Sequence, residues 1–395
     1  MKIVMVPSGF KECLDAEDVA SAMERGARRY DLTADVEMIP MIDGGEGFAK
    51  TIVRLKAGEL IECEVTGPVG EKIPSHFGLI TENGKRTAII EMAAVAGLKL
   101  VPRDQRNPLK TTTYGVGEQI LTALDLGVDK ILIGCGDSGT SDGGIGMAQA
   151  LGVQFSDKNN HPVNINSVVD IMKAEHIDTT YLDKRLSTVT VDVACNWKNL
   201  LCGERGVARV FGPQKGATPE QVEQLSKALE HFASLIENKM ALDVRSMPGS
   251  GASGGLGAGL IAFAGATLHP RFDIIKEYIN IEEKIETADV VFTAEGSLDF
   301  QTPNGKIPAE VARIAKKHGI PVIAITGTIG KGAELNYGAG IDAYFSIIPQ
   351  PTSLEKAIIN APTWIENSTE AALRQVAIGL AIAERKHLLE GVLQR

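Results

Sequence analysis

The strongest constraint on the fold is a series of short, continuous apolar runs at residues 2–7, 36–41, 130–135, 289–294, 322–326 and 343–348. Runs of this length without polar alternation mark strands buried on both faces, and such strands belong to parallel sheets. Helical stretches lie between or after many of them. Residues 15–30 hold good helix formers. Residues 309–318 end with basic side chains and stop at Gly319, which suits the helix dipole and a C-cap. Strand–helix alternation of this kind predicts an α/β fold with a doubly wound layer. Apolar residues make up 44% of the chain, which excludes wholesale disorder. No run approaches the ~18 residues of a membrane span, and the opening run is too short for a signal sequence and reads as a first strand.

A second pattern occupies residues 59–92. Residues 60–65 partly alternate, Gly67-Pro68 turns, and Asn83-Gly84 precedes a strand at 86–92. Residues 188–195 and 207–211 are also strand-like. These segments predict a second, inserted domain with a mixed sheet. Because parallel-type strands resume only after residue 288, the first domain is expected to be discontinuous: residues 1–60 with 120–150 and 285–395. The second then holds residues 61–119 with 151–284. The net charge of −10 argues against a nucleic-acid partner. Five cysteines, an odd number without a C-x-x-C pair, read as buried small hydrophobes of a reducing compartment. A cytoplasmic protein with a small-molecule partner, no membrane association, and a monomeric or homodimeric state is the expectation.

Glycine, 42 of 395 residues, exceeds the usual share of about 7%. The excess has no three-residue period, so collagen is excluded. Much of it gathers in loops at the ends of the apolar runs. Asp43-Gly44-Gly45-Glu46-Gly47 offers carboxylates for a metal or a hydroxyl, or an acidic helix cap. Residues 134–144 precede a helix near 145–151 and make an anion site. Gly134, Gly136 and Gly139 also fit G-x-G-x-x-G, with Asp157 ending the next strand, although Asp142-Gly143-Gly144 is poor material for the required helix. Residues 211–216 place Lys215 in a tight turn, either reaching a phosphate or solvated at the surface. Residues 248–259 open an apolar helix at 256–264 and suit a phosphate cradle or close helix packing. Residues 295–306 follow a strand with Glu295 and Asp299, suited to Mg²⁺ or a proton, and Lys306, suited to a transferring phosphoryl group. Thr326-Gly327-Thr328 and Gly330-Lys331-Gly332 end another strand with less chemistry.

No Walker motif, H-E-x-x-H, G-x-S-x-G or H-R-D set occurs. The seven histidines are scattered outside the glycine segments, so zinc or histidine-base chemistry is not expected. Amide-rich strand-end loops with carboxylates and placed lysines suit phosphoryl transfer, where catalysis is largely positioning and charge neutralisation.

Taken in order, Pro7…Phe10-Lys11, residues 43–47, Glu91-Met92-Ala93, Thr111-Thr112-Thr113-Tyr114-Gly115, Asp142-Gly143-Gly144, residues 211–216, Gly254-Gly255…Gly257-Ala258-Gly259 and Glu295-Gly296…Asp299…Gln301-Thr302…Gly305-Lys306 resemble the bacterial glycerate kinases of the glycerate 2-kinase type. The resemblance covers nearly the whole chain. It implies transfer of the ATP γ-phosphate to D-glycerate with Mg²⁺. It also implies a flavodoxin-like α/β domain paired with a second α/β domain, the site lying in the cleft between them.

The departures fall on the acceptor side. The family's Pro-Asp-Ser-Phe-Lys is here Pro7-Ser8-Gly9-Phe10-Lys11, its Ala-Cys-Asp is Ala194-Cys195-Asn196, and its Gly-Glu-Gly-Arg-Ile-Asp is Ala294-Glu295-Gly296-Ser297-Leu298-Asp299. Its Gly-Gly-Ser-Ala-Thr-Asn-Asp becomes residues 136–142, with a new carboxylate at Asp137. Ser297 cannot make the bidentate carboxylate pair of an Arg, and Asn196 cannot act as a general base. Residues and resemblance together place Lys11, Asp43, Glu46, Asp299 and Lys306 in catalysis. They place Gly139, Thr140, Lys215, Gly251, Ser253, Gly254 and Gly255 around ATP, and Ser8, Asp137, Asn196 and Ser297 at the acceptor. Mg²⁺ falls to Asp43, Asp142 and Glu295. The expected function is ATP-dependent phosphorylation of glycerate or a related small hydroxy acid or polyol. The alternatives are a nucleotide- or metabolite-binding relative without kinase chemistry, motivated by Ser8, Asn196 and Ser297, and a nicotinamide-linked reaction through Gly134, Gly136 and Gly139.

Overall fold

A computed structural model of the chain describes residues 1–10, 13–41 and 44–393, with side chains to residue 385. In chain order its strands are β1 (Lys2–Pro7), β2 (Asp35–Met38), β3 (Glu59–Thr66), β4 (Lys72–Glu82), β5 (Lys85–Glu91), β6 (Lys130–Gly134) and β7 (Gln154–Ser156). They continue with β8 (His176–Asp178), β9 (Thr190–Cys195), β10 (Thr267–Pro270), β11 (Val290–Leu298), β12 (Val322–Ile329) and β13 (Ala343–Ser346).

The chain divides into two units, one formed by Met1–Ile42 with Asn280–Arg395 and the other by Asp43–Ile279. The first unit holds one parallel sheet ordered β13-β12-β11-β1-β2. In order along the chain this is the 2-1-3-4-5 arrangement of flavodoxin-like sheets. Ile3, Met5, Phe292, Ala294 and Ile325 face a core shared with Val19, Met23, Ile365 and Leu373 of the helices Ala16–Tyr30 and Leu354–Leu393. The helix Ile307–Lys317 packs on β11, β1 and β12 through Val311, Ala312 and Ala315. Asp15 caps Ala16–Tyr30 by accepting from the Asp18 amide at 2.8 Å, as the acidic start of that helix favours.

The second unit holds a six-stranded sheet ordered β10-β9-β6-β5-β4-β3. Its β10, β9, β6 and β5 are parallel, and β4 and β3 are added antiparallel. Asn83 and Gly84 both have positive φ (52° and 77°), the tight-hairpin geometry their sequence predicts. One face of this sheet packs on the helix Tyr114–Asp125, and a further core surrounds the helix Pro219–Met240. A separate antiparallel pair, β7 and β8, completes the unit.

Two expectations are corrected here. Residues 120–150 were assigned to the first unit, yet β6 pairs with β5 and β9 in the second, and residues 44–60 lie there as well. An apolar run announces a buried strand but not which sheet receives it. Residues 207–211 form a helix, not a strand: Val207 and Ala208 are buried on one side against the Pro219–Met240 helix, and this packing overrides β propensity.

Candidate functional site

In the first unit the strand order reverses between β1 and β11, and ligands of open α/β sheets bind outside the carboxyl ends at such a point. Ser8 follows β1 there. Its amide and hydroxyl both donate to the Ala294 carbonyl, at 2.9 and 2.8 Å, so its side chain closes the β1–β11 junction. Glu295 comes next on β11. Its carboxylate accepts from Thr302 Oγ1 at 3.2 Å and holds Lys306 Nζ at 3.1 Å, while Lys306 also lies 3.4 Å from Asp299 Oδ1. Burial raises the Glu295 pKa, and the Lys306 ammonium and the Thr302 hydroxyl pull it back down. Asp299 accepts from the Gln301 amide at 2.8 Å, and its carbonyl accepts from Asn336 Nδ2 at 3.2 Å. Lys306 caps the helix Ile307–Lys317 just after Gly305, whose φ of 94° favours glycine. Residues 295–299 were read as a loop. Instead β11 and β12 run on, pairing Ser297 with Thr328, so Ser297 stands half-buried on a strand.

In the second unit β5, β6 and β9 end side by side. Gly44 lies against Cys135 and Ala194, and a Cβ on Gly136 would sit 2.6 Å from Gly45 Cα. This contact brings the first two glycine segments together. Asp137, exposed and at φ 50°, accepts from the Glu46 amide at 3.1 Å, and the Glu46 carboxylate pairs with Lys99. Asn196, exposed after β9, accepts from the Lys198 amide at 3.1 Å. Glu46, Asp137 and Asn196 thus share one end of the parallel strands. Glu91, not among the residues expected at the site, holds this corner. Its buried carboxylate accepts from the amides of Gly47 and Ala49, at 3.0 and 3.1 Å, at the start of the helix Phe48–Leu55. Burial raises its pKa against those two hydrogen bonds. The signal for it was a carboxylate ending an apolar run, Ile89-Ile90-Glu91.

The segments 134–144 and 248–259 clasp each other. Ser253, Gly254 and Gly255 have φ of 50°, 72° and 92°, and regular helix starts only at Leu256. A Cβ on Gly254 would fall 1.9 Å from the Thr140 carbonyl, and the Gly143 amide donates to Gly254 O at 3.0 Å. A Cβ on Gly251 would sit 2.2 Å from the Leu200 carbonyl, and one on Gly139 would sit 2.7 Å from Val101 Cγ2 and 2.9 Å from the Gly97 carbonyl. Within this packing Thr140 Oγ1 and Ser253 Oγ are buried without a hydrogen-bond partner. Buried hydroxyls of this kind call for a ligand or water, and beside glycine amides they fit a phosphate.

Lys215 and Asp142 differ from expectation. Lys215 is buried, and its Nζ donates to Ser138 Oγ at 2.8 Å, the Thr140 carbonyl at 2.5 Å and Ser141 Oγ at 3.4 Å. It pins the second glycine segment from inside instead of reaching out of a surface turn. Asp142 accepts from the amides of Thr113, Gly144 and Gly146 and from Thr113 Oγ1, at 2.8 to 3.1 Å, so its carboxylate is filled by the chain and is not presented to a metal. Among the described residues no three His, Cys, Asp or Glu gather into a metal cage. The Mg²⁺ of kinase sites needs none, being held by one or two carboxylates together with phosphates. Of the carboxylates expected there, Glu295 is described and paired with Lys306, and Glu46 and Asp299 are likewise paired, with Lys99 and Lys306. Lys11 and Asp43 lie outside the described residues. The dinucleotide fingerprint at Gly134, Gly136 and Gly139 is overturned: β7, before Asp157, pairs antiparallel with β8 and never joins β6 in a βαβ unit. No helix among the described residues is long and apolar enough to cross a membrane.

A model of the glycerate kinase family matches residues 3–377. The glycerate kinase of Haemophilus influenzae is 47% identical over 350 residues, covering 89% of this chain and 92% of that protein. The glycerate 2-kinase of Escherichia coli is 41% identical over 385 residues, covering 98% and 99%. A crystal structure assigned to glycerate kinase 2 of Salmonella typhimurium LT2 superposes with a TM-score of 0.81 at 42% identity, covering 96% of this chain and 99% of that one. The reversal point of a 2-1-3-4-5 sheet, the clasped glycine segments and these full-length matches lead to one conclusion: the chain belongs to the glycerate kinase family.

Proposed function

We propose that this kinase transfers the γ-phosphoryl group of ATP to a hydroxyl of glycerate or a related small hydroxy acid or polyol, acting in the cytoplasm as a monomer or homodimer. The observation that carries the reading is the pair of buried, unpartnered hydroxyls, Thr140 Oγ1 and Ser253 Oγ, set in close-packed glycine backbone. Amides and hydroxyls so fixed bind phosphate oxygens without reorganising. Lys306, shared between Glu295 and Asp299, trades part of that pairing for a phosphoryl oxygen and offsets its charge. Mg²⁺ supplies further charge neutralisation when bound with the nucleotide. Glu46 and Asp137 supply carboxylates able to take the proton of the attacking hydroxyl, which Asn196 binds but cannot deprotonate.

The departures at Ser8, Asn196 and Ser297 bear on which hydroxy compound is accepted, since the phosphate-side segments are intact. A coupled ADP-release assay with ATP and Mg²⁺ over D-glycerate, other small hydroxy acids and polyols tests the proposal. Turnover on at least one of them is expected. Background rates on all would refute it.

A further inference from the structure

The segment opening at Arg106 runs along the second glycine segment. Thr113 holds Asp142, Thr111 Oγ1 donates to the Gly139 carbonyl at 3.1 Å, and Arg106 itself lies against Gly216, the residue after Lys215. Gly216 has φ 95°, and a Cβ there would sit 2.4 Å from Arg106 O and 2.9 Å from Arg106 Cβ. Arg106 is half-buried, and its Nε is buried without a hydrogen-bond partner. Its guanidinium has no hydrogen bond or ion pair among the described residues. Arg28, Arg209 and Arg245, also half-buried, are each paired with a carboxylate, and Arg209 keeps its pair although its Nε too is without a partner. A partly desolvated cation left unpaired costs free energy unless an anion arrives to meet it. Asp142, the carboxylate that acts on Lys215, is already filled by chain donors.

We propose that Arg106 receives an oxyanion of a ligand bound at the glycine segments, either a nucleotide phosphate or the carboxylate of the acceptor. The planar guanidinium fork matches both groups. The inference rests on the kinase reading above and adds a binding residue to it.

Steady-state kinetics of the wild type, Arg106→Met and Arg106→Lys test it. Wild-type turnover first checks the kinase reading. Arg106→Met then raises the KM of one substrate by about 30-fold or more, the equivalent of ~2 kcal/mol for truncating a charged contact, with a much smaller change in kcat. Arg106→Lys, which keeps the charge and loses the fork, falls between. A rise confined to ATP identifies the phosphate, and a rise confined to the hydroxy acid identifies the carboxylate. Calorimetric titration and thermal unfolding with ATP–Mg²⁺ and with D-glycerate form an arm independent of turnover. Without ligand, Arg106→Met unfolds no lower than wild type, because an unpaired cation has been removed, and with ligand it loses the stabilisation the wild type gains. Unchanged KM values together with unchanged ligand stabilisation would overturn the inference, as would a lowered midpoint in the ligand-free variant with unchanged KM. A wild type that turns over nothing removes the kinase reading. The titrations then decide Arg106 alone, weakened binding by Arg106→Met supporting it and no binding by the wild type refuting it.

Discussion

At Lys215 two demands oppose each other. Burial disfavours the ammonium and pulls its pKa from the ordinary lysine value down to about 7, while Asp142 pulls the other way. The unfolded chain keeps this proton to about pH 10.4. Between the two values the unfolded state binds more protons than the folded one, so the contribution of Lys215 to stability is least favourable below about pH 7 and rises toward about pH 10. Lys215→Met removes the titrating group and flattens that rise, which urea midpoints at about pH 7 and about pH 9.5 would show. Parallel curves for the two proteins would count against the assignment. Glu91 is the opposite kind of buried charge, one whose partners are backbone donors. Glu91→Ala strands the Gly47 and Ala49 amides, at a cost of about 2–3 kcal/mol in denaturant unfolding. Glu91→Gln keeps one acceptor oxygen and loses less. Equal losses would mean that the two amides find other acceptors.

At the scale of elements, packing separates glycines that composition treats alike. Gly254 sits at φ 72° with the Thr140 carbonyl where a Cβ would go, so Gly254→Ala forces the helix Ala252–Ala264 away from residues 139–144. Strain and overpacking together cost about 3 kcal/mol or more, and nucleotide binding is lost with them. Gly379 lies in the helix Leu354–Leu393 with nothing within 4 Å of a Cβ, so Gly379→Ala stabilises by up to ~1 kcal/mol. Thermal unfolding of the two variants checks both signs. The same contrast explains what could be read from the chain. Strands β1, β11 and β12 were legible because both faces are buried, which leaves an unbroken apolar run. The sheet that β6 joins was not, because pairing with β5 and β9 is a long-range fact with no local residue signature. The extension of β11 through Ser297 was hidden for a related reason: Glu295-Gly296-Ser297 has no strand propensity, and pairing with β12 supplies the order. The glycine segments were legible as strand-end loops. That 134–144 and 248–259 clasp each other follows only from the fold, and it gives Lys215, expected at ATP, the place of an internal pin.

The whole molecule is built around an insertion, and that topology dictates an order of folding. In the first unit β1 lies between β2 and β11, and Thr293 Oγ1 donates to the Val6 carbonyl across the sheet, although the entire second unit separates them in sequence. Closing so long a flexible chain costs on the order of 5 kcal/mol of entropy before any contact repays it. The second unit is continuous, and β3, β4 and β5 pair through adjacent hairpins, so its early contacts are local and fast. Once it has folded, the two parts of the first unit are joined by a compact body, not a loose loop. The second unit is therefore expected to refold first and the first unit to follow. The chain carries two tryptophans, one in each unit: Trp197 after β9, and Trp364, partly buried against the core of the first unit. Refolding of Trp364→Phe then reports the second unit through Trp197, and refolding of Trp197→Phe reports the first through Trp364. The Trp364 signal should recover in the later phase, and slowing the second unit with Gly254→Ala should delay both signals. Recovery of Trp364 ahead of Trp197, or a Trp364 phase unchanged where Gly254→Ala slows the Trp197 phase, would show that the first unit closes its sheet without help from the insertion.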